Sequence, residues 1–228
     1  MSIEFSKNDQ GENREENHLS LVLLILAGGI LLRFLFLGRS GFWLDEAYSV
    51  WVADRALKDI FPLIIIHDPH PPLFYVILHW WMGLLNLLGT ESPPEWLLRI
   101  PFAVISSVAL IPFYFLSSRL LGARLGMYAL FMWAFSSTEV MTAQEVRMYA
   151  FVELFALLSI FYYLNIRREG GFFNTAAYSI FTALMLYTHY TGIFIIIAQH
   201  VDFLLSMRPG EWKRWMSANA GVVLLFLP

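Results

Sequence analysis

Two adjacent carboxylates are the residues best placed to do chemistry in this chain. The segment Phe42-Trp-Leu-Asp-Glu-Ala-Tyr-Ser49 sets Asp45 and Glu46 just beyond an apolar run long enough to cross a bilayer. On a helix, adjacent side chains do not face the same way, so one acid can serve as a general base while the other pairs or caps. The alternative is a pair of acids that favours the start of an interfacial helix over 44–57 through the helix dipole.

A second polar segment is the proline-rich run Asp68-Pro-His-Pro-Pro72. Each proline disfavours the α conformation in the residue before it, which predicts an extended entry into a helix that the last two prolines start. His70 would lie at the level of the lipid headgroups and could donate to a phosphate. Asp68 could orient it or bind a divalent cation, the one cofactor left open. The alternative is a stiff turn with solvated polar tips.

A third segment, Gln144-Glu-Val-Arg-Met-Tyr149, contains the basic residue with the strongest functional signal. An arginine at bilayer depth is costly and is usually functional, so Arg147 is a candidate ligand of a phosphate. Gln144, Glu145 and Tyr149, with Tyr48 from the first segment, are candidate substrate-binding residues. The alternatives for Arg147 are an ion pair with Glu145 and simple snorkelling.

His189 and Arg33 are weaker candidates for the same phosphate. His189 lies in Thr188-His-Tyr-Thr-Gly192 without a nearby acid, and a backbone carbonyl could satisfy it instead. Arg33 lies inside the first apolar run, where snorkelling to the outer headgroups is the alternative to a phosphate contact.

The composition indicates that these residues belong to a multi-span membrane protein. Of 228 residues, 58% are hydrophobic and only 14% are charged, against about 25% charged in a soluble domain. The net charge of −3 gives no reason to expect a nucleic-acid partner. The absence of cysteine excludes disulfides, thiol chemistry and thiolate metal sites.

The charge pattern predicts which loops share a side of the membrane. Residues 1–19 form a polar, acidic tail, predicted to be cytoplasmic, and 20–38 form the first span. Further apolar runs lie at 71–88, 97–118, 125–142, 148–166, 172–187, 192–207 and from 216 onward. Basic loops face the cytoplasm. They are formed by Arg119 and Arg124, by Arg167 and Arg168, and by Arg208, Lys213 and Arg214.

This topology puts all the polar segments on the outer face. The acid-rich loop 39–70, the tip 143–147 and the tip 188–192 then lie together. Crossing from residue 70 to residue 119 needs an odd number of spans, so 71–88 is predicted to be tilted or partly re-entrant. Its His79, Trp80, Trp81 and Asn86 are typical of a membrane interface.

Five motifs in order resemble one known family. They are Trp43-Leu-Asp-Glu-Ala-Tyr48, His70-Pro-Pro-Leu-Phe-Tyr75, Glu95-Trp-Leu-Leu-Arg-Ile-Pro101, Ala143-Gln-Glu-Val-Arg-Met-Tyr149 and Tyr187-Thr-His-Tyr-Thr-Gly192. They resemble the polyprenyl-phosphate-sugar glycosyltransferases of the GT-C fold. This group includes the protein O-mannosyltransferases, the aminoarabinose transferases that modify lipid A, and the RgtA/B/C/D-like enzymes.

The resemblance implies an all-α, multi-span helical bundle with interfacial helices in the first outer loop. Residues 20–228 would be the N-terminal GT-C module, incomplete at its C-terminus. A lipid-linked sugar would be the donor, Asp45 the catalytic acid, and a lipid, glycan or protein the acceptor, at the outer face of the plasma membrane. One displacement without a second carboxylate nucleophile predicts inversion at the anomeric carbon.

Two other classes stay open on the sequence. A transporter or flippase of lipid-linked substrates would also carry polar residues in its spans, although it would favour internal repeats and a midplane site. A truncated, non-catalytic membrane scaffold is the other alternative.

Overall fold

The chain folds as an all-helical bundle, which confirms the predicted fold class. The computed structural model describes residues 2–68 and 70–227, with side chains from residue 16 onward. Over those residues, the helices are α1 (Ser2–Phe34), α2 (Leu44–Ala53), α3 (Leu57–His67), α4 (Leu73–Leu87), α5 (Glu95–Leu121), α6 (Ala123–Ala134), α7 (Ser137–Ala143), α8 (Tyr149–Arg168), α9 (Phe172–Thr188), α10 (Gly192–Ser206) and α11 (Glu211–Phe226).

The helices long and apolar enough to cross a membrane lie in the first, fifth and eighth elements. They are Glu16–Phe34 within α1, then Glu95–Leu121 and Tyr149–Arg168. Helices α4 and α10 are apolar but shorter. Residues 2–19 of the predicted polar tail continue into the first span as one helix, and the side chains of the tail up to residue 15 lie outside the described part of the chain.

Two segments that were predicted to be single helices are each broken in two. The predicted span 125–142 is α6 followed by α7, and Ser136 between them has an extended backbone with ψ 126°. Serine favours helix starts over helix interiors because its hydroxyl competes for backbone hydrogen bonds. The predicted interfacial helix over 44–57 ends at Ala53, and a second helix, α3, starts at Leu57.

One end of the bundle, which we call the motif end, collects all the polar segments that the sequence singled out. It comprises the C-terminus of α1, helices α2–α4, the N-termini of α5 and α8, and the α9–α10 turn. Contacts across it join distant parts of the chain: Val146 N–H donates to Glu46, and the rings of His70 and His189 lie 5.1 Å apart. The predicted common location of these segments is therefore observed.

Helix α4 starts and finishes at the motif end, which accounts for the odd number of crossings. It begins directly after Pro72, as the proline pair predicts. Two turns later, His79 Nδ1 lies 2.8 Å from the Ala53 carbonyl oxygen, and Trp81 Nε1 donates to the Leu97 carbonyl over 3.1 Å. Since Leu97 is in the first turn of α5, the chain leaves α4 at the end where it entered.

The opposite end, which we call the basic end, comprises the α5–α6, α8–α9 and α10–α11 connections. Arg119 Nη1 donates to Asn165 Oδ1, and Arg167 Nη2 donates to the Ser206 carbonyl over 2.6 Å. These bonds join the three basic loops of the sequence pattern. The basic loops and the polar motifs thus lie at opposite ends of the bundle.

The two ends predict opposite labelling by a membrane-impermeant thiol reagent. Single cysteines at Ser40, Thr142 and Thr191, on the motif end, should react in intact cells, and one at Ala123, on the basic end, should not. The chain has no cysteine of its own, so the background is clean. Labelling at Ala123 from outside would reverse the orientation that the basic loops indicate.

Candidate functional site

The motif end is built around a buried ion pair between Glu46 on α2 and Arg99 on α5. Arg99 Nε donates to Glu46 Oε1 over 3.0 Å and Nη2 donates to Oε2 over 2.8 Å. The two side chains are 1% and 4% exposed. This is the bidentate geometry that makes arginine–carboxylate pairs strong and orientationally specific.

Glu46 also holds the segment that carries Arg147. Its Oε1 accepts the Val146 N–H over 2.8 Å, and its Oε2 accepts the Trp43 N–H over 3.4 Å. The second bond is the half of a capping box in which an acid at the third helical position reaches back to the N-cap. With both oxygens occupied, Glu46 positions the neighbouring segments.

Arg99 ties down the loop between α1 and α2 in the same way. Its Nη1 donates to the carbonyls of Leu37 and Ser40 over 2.7 and 2.8 Å, and its Nη2 lies 3.3 Å from the Gly41 oxygen. The guanidinium thus satisfies backbone acceptors that would otherwise be buried without partners.

Asp45, one residue before the ion pair, faces outward. Its side chain is 42% exposed, and one carboxylate oxygen lies 3.7 Å from Nη2 of Arg147. Arg147 is itself 5% exposed, and its Nη1 donates to Ser49 Oγ over 3.2 Å. An accessible carboxylate beside a buried guanidinium is an arrangement that can take a proton and bind an anion side by side.

Arg147 forms an ion pair with Asp45. The sequence had left open an ion pair with Glu145 instead. Within the described chain, the ion pair that Arg147 forms is the one with Asp45. Burial raises the pKa of Glu145, and the charge of Glu46 raises it further.

Asp68 and His70 form a second charged group. Asp68 accepts hydrogen bonds from His70 Nδ1 and from the Tyr75 hydroxyl, and the His70 N–H donates to it over 3.1 Å. Burial works against ionisation, but the bonds from Tyr75 and His70 outweigh it and lower the pKa of Asp68. The carboxylate therefore fixes the proton on His70 Nδ1 and leaves Nε2 to face a ligand.

His189 is distant from this group in sequence but lies next to His70 in the fold. Its Nδ1 accepts the Thr191 N–H over 3.1 Å, so a neutral ring carries its proton on Nε2. Burial lowers the pKa of His189, and the charges of His70 and Arg147 lower it further. At neutral pH, His189 is an uncharged donor beside His70.

The candidate substrate-binding residues divide into two kinds. The Tyr48 hydroxyl is buried without a hydrogen-bond partner among the described residues, and Tyr149 is exposed at the start of α8. Gln144 is occupied, since its Nε2 donates to the carbonyls of Leu32 and Leu35 over 2.9 and 2.8 Å. Gln144 caps the end of α1.

Arg33 lies apart from these groups. It is fully buried, and its Nε donates to Ser106 Oγ over 2.9 Å while its Nη1 donates to the Gly29 and Ala134 carbonyls. Snorkelling to the headgroups, the alternative that the sequence left open for this residue, is not observed because helices α5 and α6 enclose the side chain. It joins α1 to these helices.

The structure adds three residues that the sequence did not single out as site residues. Arg99, Ser49 and Tyr75 contact Glu46, Arg147 and Asp68 respectively. Arg99 had a usable signal, because an arginine inside an apolar stretch demands a partner. Among the described side chains, which are those of residues 16–68 and 70–227, no cluster of three or more histidines or acids could hold a metal ion.

Comparison with known proteins identifies one family. The model of the family described as dolichyl-phosphate-mannose-protein mannosyltransferase matches residues 69–228. No curated protein and no solved structure matches the chain. The match includes Arg99, Arg147 and His189, while Asp45 and Glu46 precede it.

Removing one partner of the buried ion pair should destabilise the fold. We expect Arg99→Ala to lower the free energy of unfolding by about 3–5 kcal/mol, because the Glu46 carboxylate would stay buried and unpaired. The measurement is thermal or denaturant unfolding in detergent. The matched control is Arg124→Ala, at an exposed arginine on the basic end.

The double variant Glu46→Gln/Arg99→Met should recover much of that loss, since no buried charge remains. Equal stability of Arg99→Ala and Arg124→Ala would show that the pair does not hold the motif end together.

Proposed function

Because the chain belongs to the dolichyl-phosphate-mannose-protein mannosyltransferase family, and is therefore a membrane glycosyltransferase that uses polyprenyl-phosphate sugar donors, we propose that its motif end is the active site. The observation that carries this proposal is the pairing of an accessible Asp45 with a buried Arg147 across about a hundred residues of sequence. The basic loops favour an extracytoplasmic active face. The plasma membrane is the membrane that we propose.

Asp45 is the general base in this proposal. Its carboxylate takes the proton of an acceptor hydroxyl as that oxygen attacks the anomeric carbon of the donor sugar. The bond from the anomeric carbon to the phosphate oxygen breaks, and its electron pair leaves with the polyprenyl phosphate. A single displacement of this kind inverts the anomeric configuration.

Arg147, His70 and His189 stabilise the departing phosphate. Arg147 supplies a planar cation that can hold two phosphate oxygens. The neutral His189 adds a hydrogen-bond donor through Nε2, and His70, oriented by Asp68, adds one through Nε2 when its ring is protonated. Tyr48, Glu145 and Tyr149 would contact the sugar or the acceptor. A divalent cation at Asp68 remains a prediction, which a loss of transfer in EDTA would support.

A membrane assay with radiolabelled mannosyl polyprenyl phosphate separates the candidate functions. Transfer of label to an acceptor supports the enzyme. Movement of the lipid between leaflets without transfer supports the flippase. The absence of both transfer and lipid movement supports a scaffold. The acceptor, whether lipid, glycan or protein, is identified by the fraction that takes up the label.

The first test of the mechanism is removal of the base. Asp45→Asn keeps the shape of the side chain but cannot take a proton, so the rate of transfer should fall by about 100-fold or more. The matched control is Asp59→Asn, at an exposed acid of α3, which should leave the rate unchanged. Transfer at the wild-type rate in Asp45→Asn would remove this residue from the mechanism.

The second test concerns the phosphate ligand. Arg147→Lys keeps the charge but loses the two-pronged geometry, so it should weaken use of the donor by about tenfold, and Arg147→Ala should weaken it more. The measurement is transfer as a function of donor concentration. Arg55→Lys, at an exposed arginine after α2, is the control.

A purely structural role for Arg147 makes a different prediction. If it only offsets the charge of Glu145, the double variant Glu145→Gln/Arg147→Ala should recover most of the transfer lost in Arg147→Ala. Such recovery would contradict the phosphate role. Continued loss of transfer at normal membrane expression agrees with it.

A further inference from the structure

A second charged cavity lies at the basic end, on the opposite side of the bundle from the proposed active site. It has a volume of about 340 Å³ and is lined by Leu164, Arg167, Arg168, Ser206, Arg208 and Glu211. The C-terminus of α8, the C-terminus of α10 and the N-terminus of α11 meet here. None of these residues belongs to the polar motifs of the other end.

Arg167 lines this cavity and is held in place by several partners. Its side chain is 15% exposed, and it pairs with Asp202 over 2.9 Å and with Glu211 over 3.2 Å. Its Nη2 also donates to the Ser206 carbonyl. Arg167 therefore joins α8 to α10 and α11, and the two acids offset its charge.

Arg168 and Arg208 are not offset in this way. Both are exposed, and neither side chain has a hydrogen-bond or ion-pair partner among the described residues. Glu211, the one acid of the lining, is occupied by Arg167 and by the Arg208 N–H, which donates to it over 3.1 Å. Two cations thus remain at the rim without a counter-ion from the fold.

The surroundings of the cavity are apolar on the side of the membrane. The last turn of α10 exposes Leu204 and Leu205, which are 67% and 83% accessible. Leu164 forms part of the lining itself. A free phosphate ion would not contact this apolar border, whereas the acyl chains attached to a lipid headgroup would cover it.

We propose that this cavity binds the phosphate headgroup of an anionic phospholipid of the leaflet at the basic end, with Arg168 and Arg208 as its ligands. Arginine is suited to this role because its guanidinium matches the geometry of phosphate oxygens. The lipid would join the ends of α8, α10 and α11. This proposal does not depend on sugar transfer at the other end.

The experiment is lipid binding to the purified, delipidated chain in detergent, measured by native mass spectrometry. Phosphatidylglycerol is the probe and phosphatidylcholine the zwitterionic control, and we expect the chain to retain only the first. Arg168→Gln/Arg208→Gln should weaken phosphatidylglycerol binding by about tenfold or more. Because neither arginine holds the fold together, unfolding should be unchanged without lipid.

The control variant Arg124→Gln/Lys213→Gln removes the same charge from the same end but outside the cavity. It should bind phosphatidylglycerol like the wild type. Equal weakening in both double variants would reduce the effect to the general field of the basic end and overturn the proposal. Equal retention of both lipids would overturn it too, as would displacement of the lipid by millimolar inorganic phosphate, which would indicate a free-anion site.

Discussion

The ion pair between Glu46 and Arg99 is the interaction on which the motif end depends. It joins helices that enter this end from different parts of the chain, and the same two side chains bond to the loop before α2 and to Val146. Two buried charges are costly to remove from water, and only near-complete hydrogen bonding offsets that cost. Here each oxygen of Glu46 has two partners, so the geometry that satisfies them also fixes Asp45 and Arg147.

This arrangement divides two adjacent acids into two roles. Residues Asp45 and Glu46 point apart on α2, as neighbours on a helix must. Glu46 turns into the core, where it meets Arg99, and Asp45 is left at the accessible surface beside Arg147. The pairing explains how one acid can remain available for chemistry: the buried neighbour supplies the rigidity that a half-exposed carboxylate lacks.

Charge is used differently at the two ends of the bundle. At the motif end, Arg99 and Arg147 are buried and pair with Glu46 and Asp45, and His70 pairs with Asp68. Such pairing suits a polar substrate held at a membrane surface. At the basic end, Arg167 is offset by Asp202 and Glu211, while Arg168 and Arg208 remain exposed. The first pattern is the one expected of the proposed active site. The second is the one expected of the proposed lipid-binding surface.

The sequence by itself determined the membrane class, the all-helical fold and the polar segments that meet at one end. These follow from composition, from the spacing of apolar runs and from the location of basic loops, all of which are local properties. The odd number of crossings between residues 70 and 119 also predicted that 71–88 does not span fully. The sequence could not show that Glu46 pairs with Arg99. Contacts of this kind join side chains that are tens of residues apart in sequence. Arg33 is enclosed by α5 and α6, and Arg147 pairs with Asp45 in place of its sequence neighbour Glu145. Only tertiary packing decides which charges must find partners away from water.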